Sequence, residues 1–109
     1  MQHPAEIVFR GMDPSPAVEA RIREKIASLE RLSPRIDHCR VVFEAPHRTG
    51  TQGSMFSVSI ELGLPGGEII VNREHHEDRA HEDAYVAVRD AFGAARRQLL
   101  EQIEQQRGR

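Results

Sequence analysis

The chain has 109 residues, 39% of them apolar and 29% charged, with a formal net charge of −2. A chain of this length makes one ordinary core, so a single domain over residues 1–109 is expected. No apolar run approaches the ~20 residues of a membrane helix, residues 1–10 hold no secretory-type segment, and the lone Cys39 has no partner for an internal disulfide, so a reducing cytoplasm is the expected compartment.

Glu6–Arg10 reads as a short strand and stops at Gly11. Asp13-Pro14-Ser15-Pro16 is a helix start, with Ser15 as N-cap and Pro16 as first helical residue. Val18, Ile22, Ile26, Leu29 and Leu32 then recur every three or four residues, one face of an amphipathic helix that Ser33-Pro34 ends. A second strand is expected within Arg35–Ala45, where Cys39, Val41 and Phe43 point one way. Pro46–Ser54 has the composition of a loop. Phe56, Val58, Ile60 and Leu62 alternate with Ser57, Ser59 and Glu61, the clearest strand signal in the chain. Pro65-Gly66-Gly67 makes a tight turn into a last strand, Glu68–Val71. Arg73–Glu82 is polar and acidic and is expected as a loop, with Asp83 capping the final helix. There Tyr85, Val88, Phe92, Ala95, Leu99 and Ile103 form one stripe, to about Gln105.

The order β-α-β-β-β-α, with three consecutive strands as an antiparallel meander and two singly striped helices, is an α+β pattern. It predicts two helices on one face of a four-stranded sheet, with Ser57, Ser59 and Glu61 turned to water on the other.

No catalytic signature is present: no GxSxG, no phosphate-binding loop, no dinucleotide fingerprint and no Cys/His pair at a known spacing. Neither an enzyme nor a cofactor is expected, and no small-molecule substrate. Cys39 reads as a buried small hydrophobe. His75, His76 and His81 stand among Glu77, Asp78, Glu82 and Asp83, but that spacing does not force convergence on one ion. A solvated loop with acids favouring a helix start is the expectation, and metal binding is the alternative.

The fifteen basic residues are fourteen Arg and Lys25, unevenly spread. At 100° per residue, Arg89, Arg96 and Arg107 share one flank of the last helix's apolar stripe, and Arg97 lies further round. Arg21 and Lys25 share one flank of the first helix, and Arg31 lies further out. The two flanks lie on opposite rotational sides. With parallel helices, both flanks therefore face the groove between them, or both face away. Facing inward, five bases line a channel suited to a phosphate backbone. Alternatively, these arginines snorkel over the core edge and pair with acids such as Glu24 and Glu101. Tyr85 and Phe92 fall in the core stripe, so no base-stacking platform is expected.

Four segments, in order, resemble the ribosome hibernation promoting factors, also called ribosome-associated translation inhibitors or sigma modulation proteins. Ser15-Pro16-Ala17-Val18 leading to Lys25-Ile26-Ala27-Ser28-Leu29-Glu30-Arg31 is similar to the family's TPAL…KLAKLE helix. Leu64-Pro65-Gly66-Gly67-Glu68-Ile69 is similar to its PGG hairpin, Glu82–Asp90 to its EDMYAAID helix start, and Arg97-Gln98-Leu99 to its RQL. The resemblance spans about residues 5–105 and the chain corresponds to the short form. It implies parallel helices on the sheet, binding to the small ribosomal subunit and its ribosomal RNA, blocked initiation and stored idle ribosomes under stress. It also implies helix bases as the RNA contacts, and Arg21, Lys25, Arg31, Arg89, Arg96 and Arg97 are the candidates. Glu19, Ser28, Ala94 and Glu101 stand where the family commonly has a base. Those departures and the net charge favour an alternative: a divergent member acting as a protein-interaction module, or as a homodimer through the free sheet face or an edge strand.

Overall fold

The computed structural model describes residues 1–45, 55–76 and 80–107, with the side chains of 55, 74–76 and 80–83 left aside. Its elements run β1 (Glu6–Arg10), α1 (Pro16–Leu32), β2 (His38–Glu44), β3 (Met55–Leu64), β4 (Gly67–His76) and α2 (Ala80–Arg107). The sheet order is β1-β2-β3-β4. The first pair is parallel, with Ile7 opposite Val41 and Phe9 opposite Phe43. The other two pairs are antiparallel. The parallel pair needs a long crossover, which α1 supplies, while β3 and β4 need only a hairpin.

Alternation along the strands decides which face is covered. Cys39, Val41, Phe43, Phe56, Val58, Ile60, Leu62, Ile69 and Val71 are all buried, and they join one core with Val18, Ile22, Ile26 and Leu29 of α1. Both helices therefore lie on the same side. The α2 contribution is Ala84, Ala87, Val88, Ala91, Phe92, Ala94, Ala95 and Leu99. The many alanines let its axis come close to β3 and β4, on which it packs. Phe9, Phe43 and Phe56 form an aromatic row across three strands, with ring centroids 5.9 and 5.4 Å apart in succession.

The α1 start is as expected. Ser15 is the N-cap, its Oγ accepts from the Val18 N–H at 3.3 Å, and Pro16 is the first helical residue. At the other end the Ser33 N–H donates to the Leu29 carbonyl at 2.8 Å. Gly11, between β1 and α1, has φ +75°, and a Cβ there would strike the Ala45 carbonyl. The chain crosses its own backbone at this point, where Ala45 N–H donates to the Arg10 carbonyl at 2.9 Å.

Three expectations need correction. First, β4 does not end at Val71. It continues to His76, pairing Asn72 with Ser59, Arg73 with Val58 and His76 with Met55. β3 is ten residues long, and its free edge extends the ladder through a polar stretch that reads as loop. Second, α2 begins at Ala80, so Asp83 is inside the helix rather than at its cap. Its neighbour Glu82 shares that first turn, where an acid is favoured by the helix dipole. His75 and His76 thus belong to β4 and His81 to α2, while their side chains lie outside those described. Third, Ser57, Ser59 and Glu61 on the second face are half-buried rather than fully solvated. Val42 on that face is 7% exposed, with Val8 beside it on β1. The expected loop at Pro46–Ser54, with Arg48, lies outside the described residues.

Two outcomes follow from this packing. Gly11→Ala should cost about 1–3 kcal/mol in a urea unfolding titration, because the backbone is strained for an L side chain and the Ala45 carbonyl must move. The Cys39 thiol is pushed from 9.0 up to about 12, mainly by burial and then by the nearby Glu30 carboxylate. The unfolded thiol ionises first, so stability is intact below pH ~9 and falls as pH rises toward ~12. Unfolding midpoints measured through that window should fall less in Cys39→Ala than in the wild type.

Candidate nucleic-acid interface

The buried stripe Val18-Ile22-Ile26-Leu29 fixes how α1 is rotated about its own axis. At 100° per residue, Arg21, Lys25, Ser28 and Leu32 then lie on one flank, and Glu19, Arg23 and Glu30 on the other. Burial of Ala84, Val88, Ala91, Ala95 and Leu99 fixes α2 in the same way. Tyr85, Arg89, Arg96, Ile103 and Arg107 fall on one of its flanks.

One contact decides between the two arrangements open to the sequence. The Arg21 guanidinium lies over the Tyr85 ring, 5.2 Å from its centroid. Both residues are near the N-terminal ends of their helices. At the other end, Leu32 and Ser33 share a cavity with Leu99, Ile103 and Arg107. The helices are therefore parallel and their basic flanks face each other. The opposite flank of α1 points away, toward the start of the chain, where Glu30 accepts from the Met1 ammonium at 3.1 Å. Tyr85 is thus not a core residue as its stripe position suggests. It is 37% exposed and forms part of the groove wall.

Of the six candidate contacts, Arg21, Lys25, Arg89 and Arg96 are brought together along this groove. Arg31 and Arg97 are not. Each is on the outer face of its helix, opposite the core, with the Arg31 Nη2 donating to Ser28 Oγ at 3.2 Å. Arg107 closes the groove at its C-terminal end, where Arg35 also lines the cavity. The sequence places Arg107 on the correct flank, but Arg35 has no such signal because it lies beyond the helix.

Local acids engage only part of this set. Arg21 Nε is 3.8 Å from Glu24, and Arg89 is 3.3 Å from its neighbour Asp90. Both pairs are exposed and weak. Among the described residues, Lys25, Arg96, Arg97 and Arg107 have no carboxylate partner. The proposed pairing of groove arginines with Glu101 is not found, whereas Arg23 does pair with Glu19 at 3.1 Å, on the far flank. The open sheet face is acidic by contrast, with Glu6, Glu44, Glu61 and Glu68 against Arg10 and Arg40. There Arg40 Nε lies 3.2 Å from Glu6. The two helices together carry as many acids as bases, so positive potential is confined to the facing flanks, which hold Arg21, Lys25, Arg89, Arg96 and Arg107. Among the described residues, no group of three or more His, Cys, Asp or Glu side chains is placed to hold a metal ion, and no helix is long and apolar enough to cross a membrane.

The sequence matches one protein family over residues 5–107, that of the Sigma 54 modulation protein / S30EA ribosomal protein. No curated protein matches the chain by sequence. Among solved structures, a ribosomal subunit interface protein from Coxiella burnetii superposes with a TM-score of 0.73 at 20% identity, covering 92% of this chain and 97% of that one. The Protein Y N-terminal domain from Thermus thermophilus superposes with a TM-score of 0.62 at 22% identity, covering 86% and 91%. Both share the fold described here.

The Arg21–Tyr85 contact is measurable. In a double-mutant cycle of Arg21→Ala and Tyr85→Ala, unfolding free energies should show a coupling of about 0.5–1 kcal/mol, as for an exposed cation–π pair. Additive single mutants would mean that the contact does not hold the helices in phase.

Proposed function

The chain belongs to the Sigma 54 modulation protein / S30EA ribosomal protein family, and on that premise we propose that it is a ribosome-associated factor whose inter-helix groove binds small-subunit ribosomal RNA. The family is one of modulation and ribosomal proteins, not of enzymes. The observation that carries the proposal is the convergence of Arg21 and Lys25 from one helix with Arg89, Arg96 and Arg107 from the other. A row of bases about five helical turns long, from Arg89 to Arg107, matches a run of phosphates, and arginine forks hold them bidentately. The acidic sheet face leaves one side of the protein for RNA.

The mode of action is occupancy. Phosphates held between the helices place the bulk of the fold where translation ligands would lie, so the bound subunit is idle and stored, as in a stress response of the cytoplasm. No small-molecule substrate or cofactor enters this account. One relative of the same fold carries the description ribosomal subunit interface protein, and the same association is proposed here.

The departures from the family pattern weigh less than their number suggests. Glu19 is on the flank turned away from α2 and is paired with Arg23. Ala94 is buried in the core, and Glu101 is across α2 from the groove. Only Ser28 stands on the groove flank. The net charge of −2 is likewise dominated by residues outside the groove.

Co-sedimentation of the purified protein with isolated small ribosomal subunits tests the proposal. Binding should weaken roughly a hundredfold between about 50 and 200 mM salt when some five phosphates are neutralised. Arg89→Glu combined with Arg96→Glu should lower it at least about tenfold at fixed salt. Absence of binding even at low salt would refute the reading and leave the protein-interaction alternative.

A further inference from the structure

The chain holds four phenylalanines, one tyrosine and no tryptophan. Phe43, Phe56 and Phe92 are buried, and Phe9 packs against the core from β1. Tyr85 alone of these rings is exposed, at 37%, although burial of an aromatic ring is among the larger apolar gains open to a fold. It stands at the N-terminal end of the groove, and its surroundings are cationic. The Arg21 guanidinium lies over the ring, 5.2 Å from its centroid. Lys25 is one turn along α1 from Arg21, and Arg89 is one turn along α2 from Tyr85, both on the facing flanks. Glu24, 3.8 Å from Arg21, and Asp90, 3.3 Å from Arg89, are exposed and hold these arginines only weakly.

We propose that the Tyr85 ring is a stacking platform for one unpaired base of the RNA whose phosphates the groove holds, an inference that rests on the RNA-binding reading above. An exposed ring with cations on both helices beside it fits a planar group that carries a phosphate on either side, which is a nucleotide within a strand. In the free protein the Arg21 guanidinium covers part of the ring. A base–aromatic stack is stronger than an exposed cation–π contact. The base therefore takes the ring, and Arg21 moves onto a flanking phosphate. Lys25 and Arg89 hold the neighbouring phosphates of the same strand. Phosphate contacts alone accept a duplex and a single strand alike. A ring that needs a bare base face admits only an unpaired nucleotide, so this end of the groove selects single-stranded RNA.

With one tyrosine and no tryptophan, the intrinsic emission of the full chain reports Tyr85 alone. The test follows that emission at low salt, corrected for nucleotide absorbance with free tyrosine, as three probes are added. They are a single-stranded oligouridylate of about ten nucleotides, an abasic ribose-phosphate strand of the same length and a blunt RNA duplex of that length. Oligouridylate should quench the emission, because a base stacks on the ring. The abasic strand and the duplex should bind through their phosphates and quench it far less. Oligouridylate should also bind roughly fivefold or more tighter than the abasic strand, the gain of one stack less the lost cation–π contact. Tyr85→Phe should keep that ratio of affinities, and Tyr85→Leu should bring it to about one; the ratio cancels any general damage to fold or charge. Quenching by the abasic strand or the duplex equal to that by oligouridylate, or an unchanged ratio in Tyr85→Leu, would overturn the platform even with small-subunit binding intact. Failure of every probe to bind would overturn it together with the RNA reading. Quenching by oligouridylate alone, in a protein that fails to co-sediment with small subunits, would uphold the platform and overturn the ribosomal partner.

Discussion

The rotational phase of the two helices is the constraint on which the surface chemistry depends. A four-stranded sheet with one covered face accommodates two helices, and each must turn its only apolar stripe downward. Once Val18, Ile22, Ile26 and Leu29 are buried, α1 has no freedom left to choose where Arg21 and Lys25 go. The same holds for Arg89 and Arg96 once Val88, Ala91, Ala95 and Leu99 are buried. Burial of each valine, isoleucine or leucine among them is worth about 1.5–3 kcal/mol, whereas repulsion between exposed cations several ångströms apart is screened to a fraction of that. Hydrophobic burial therefore wins, and it holds like charges face to face across a groove. A surface of bases that are at most weakly paired is kept in place by the core beneath it, which is the condition for a preformed anion site.

The cation–π contact between Arg21 and Tyr85 relieves part of that repulsion at the open end. It leaves the guanidinium charged and half-exposed, so the arginine remains able to contact a phosphate. The acids near the groove act in the same mild way. Glu24 and Asp90 are exposed partners on the same helix as the base they meet, and a phosphate can displace them at little cost. The pair of opposite character, Glu19 with Arg23, is on the flank turned away from α2.

Much of this was legible in the sequence because periodicity reports burial. The three spacings in Val18–Leu29 and the strict alternation of Phe56–Leu62 mark faces, and faces determine which side of the sheet is covered. The Arg89–Arg96–Arg107 flank was legible for the same reason. Whether that flank met α1 was not, since a stripe fixes rotation about one axis and says nothing about which neighbour is on the left. A single tertiary contact, Arg21 on Tyr85, resolves it. The extension of β4 to His76 was hidden because ladder hydrogen bonds are made by backbone, which polar side chains do not advertise. The start of α2 at Ala80 was hidden because acids suit the first helical turn as well as the cap. Arg35 was invisible for a topological reason: it reaches the groove's end only because the chain turns at Pro34 between α1 and β2.

The groove and the cavity at its end differ in what holds them. The groove is set by two buried stripes and tolerates change at its surface, which is why Ser28 can stand in a basic position without altering the path of the helices. The cavity is set by ends: the last turn of α1, the tip of the β3–β4 hairpin and the overhang of α2 beyond Leu99. α2, at 28 residues, is far longer than the 17-residue α1 beside it. Its final turns therefore have a partner on the hairpin side only, and that asymmetry leaves the space. A shorter α2 would expose the hairpin and a longer α1 would fill the gap. The mismatch in helix length thus ends the basic groove in a shaped, largely apolar cavity.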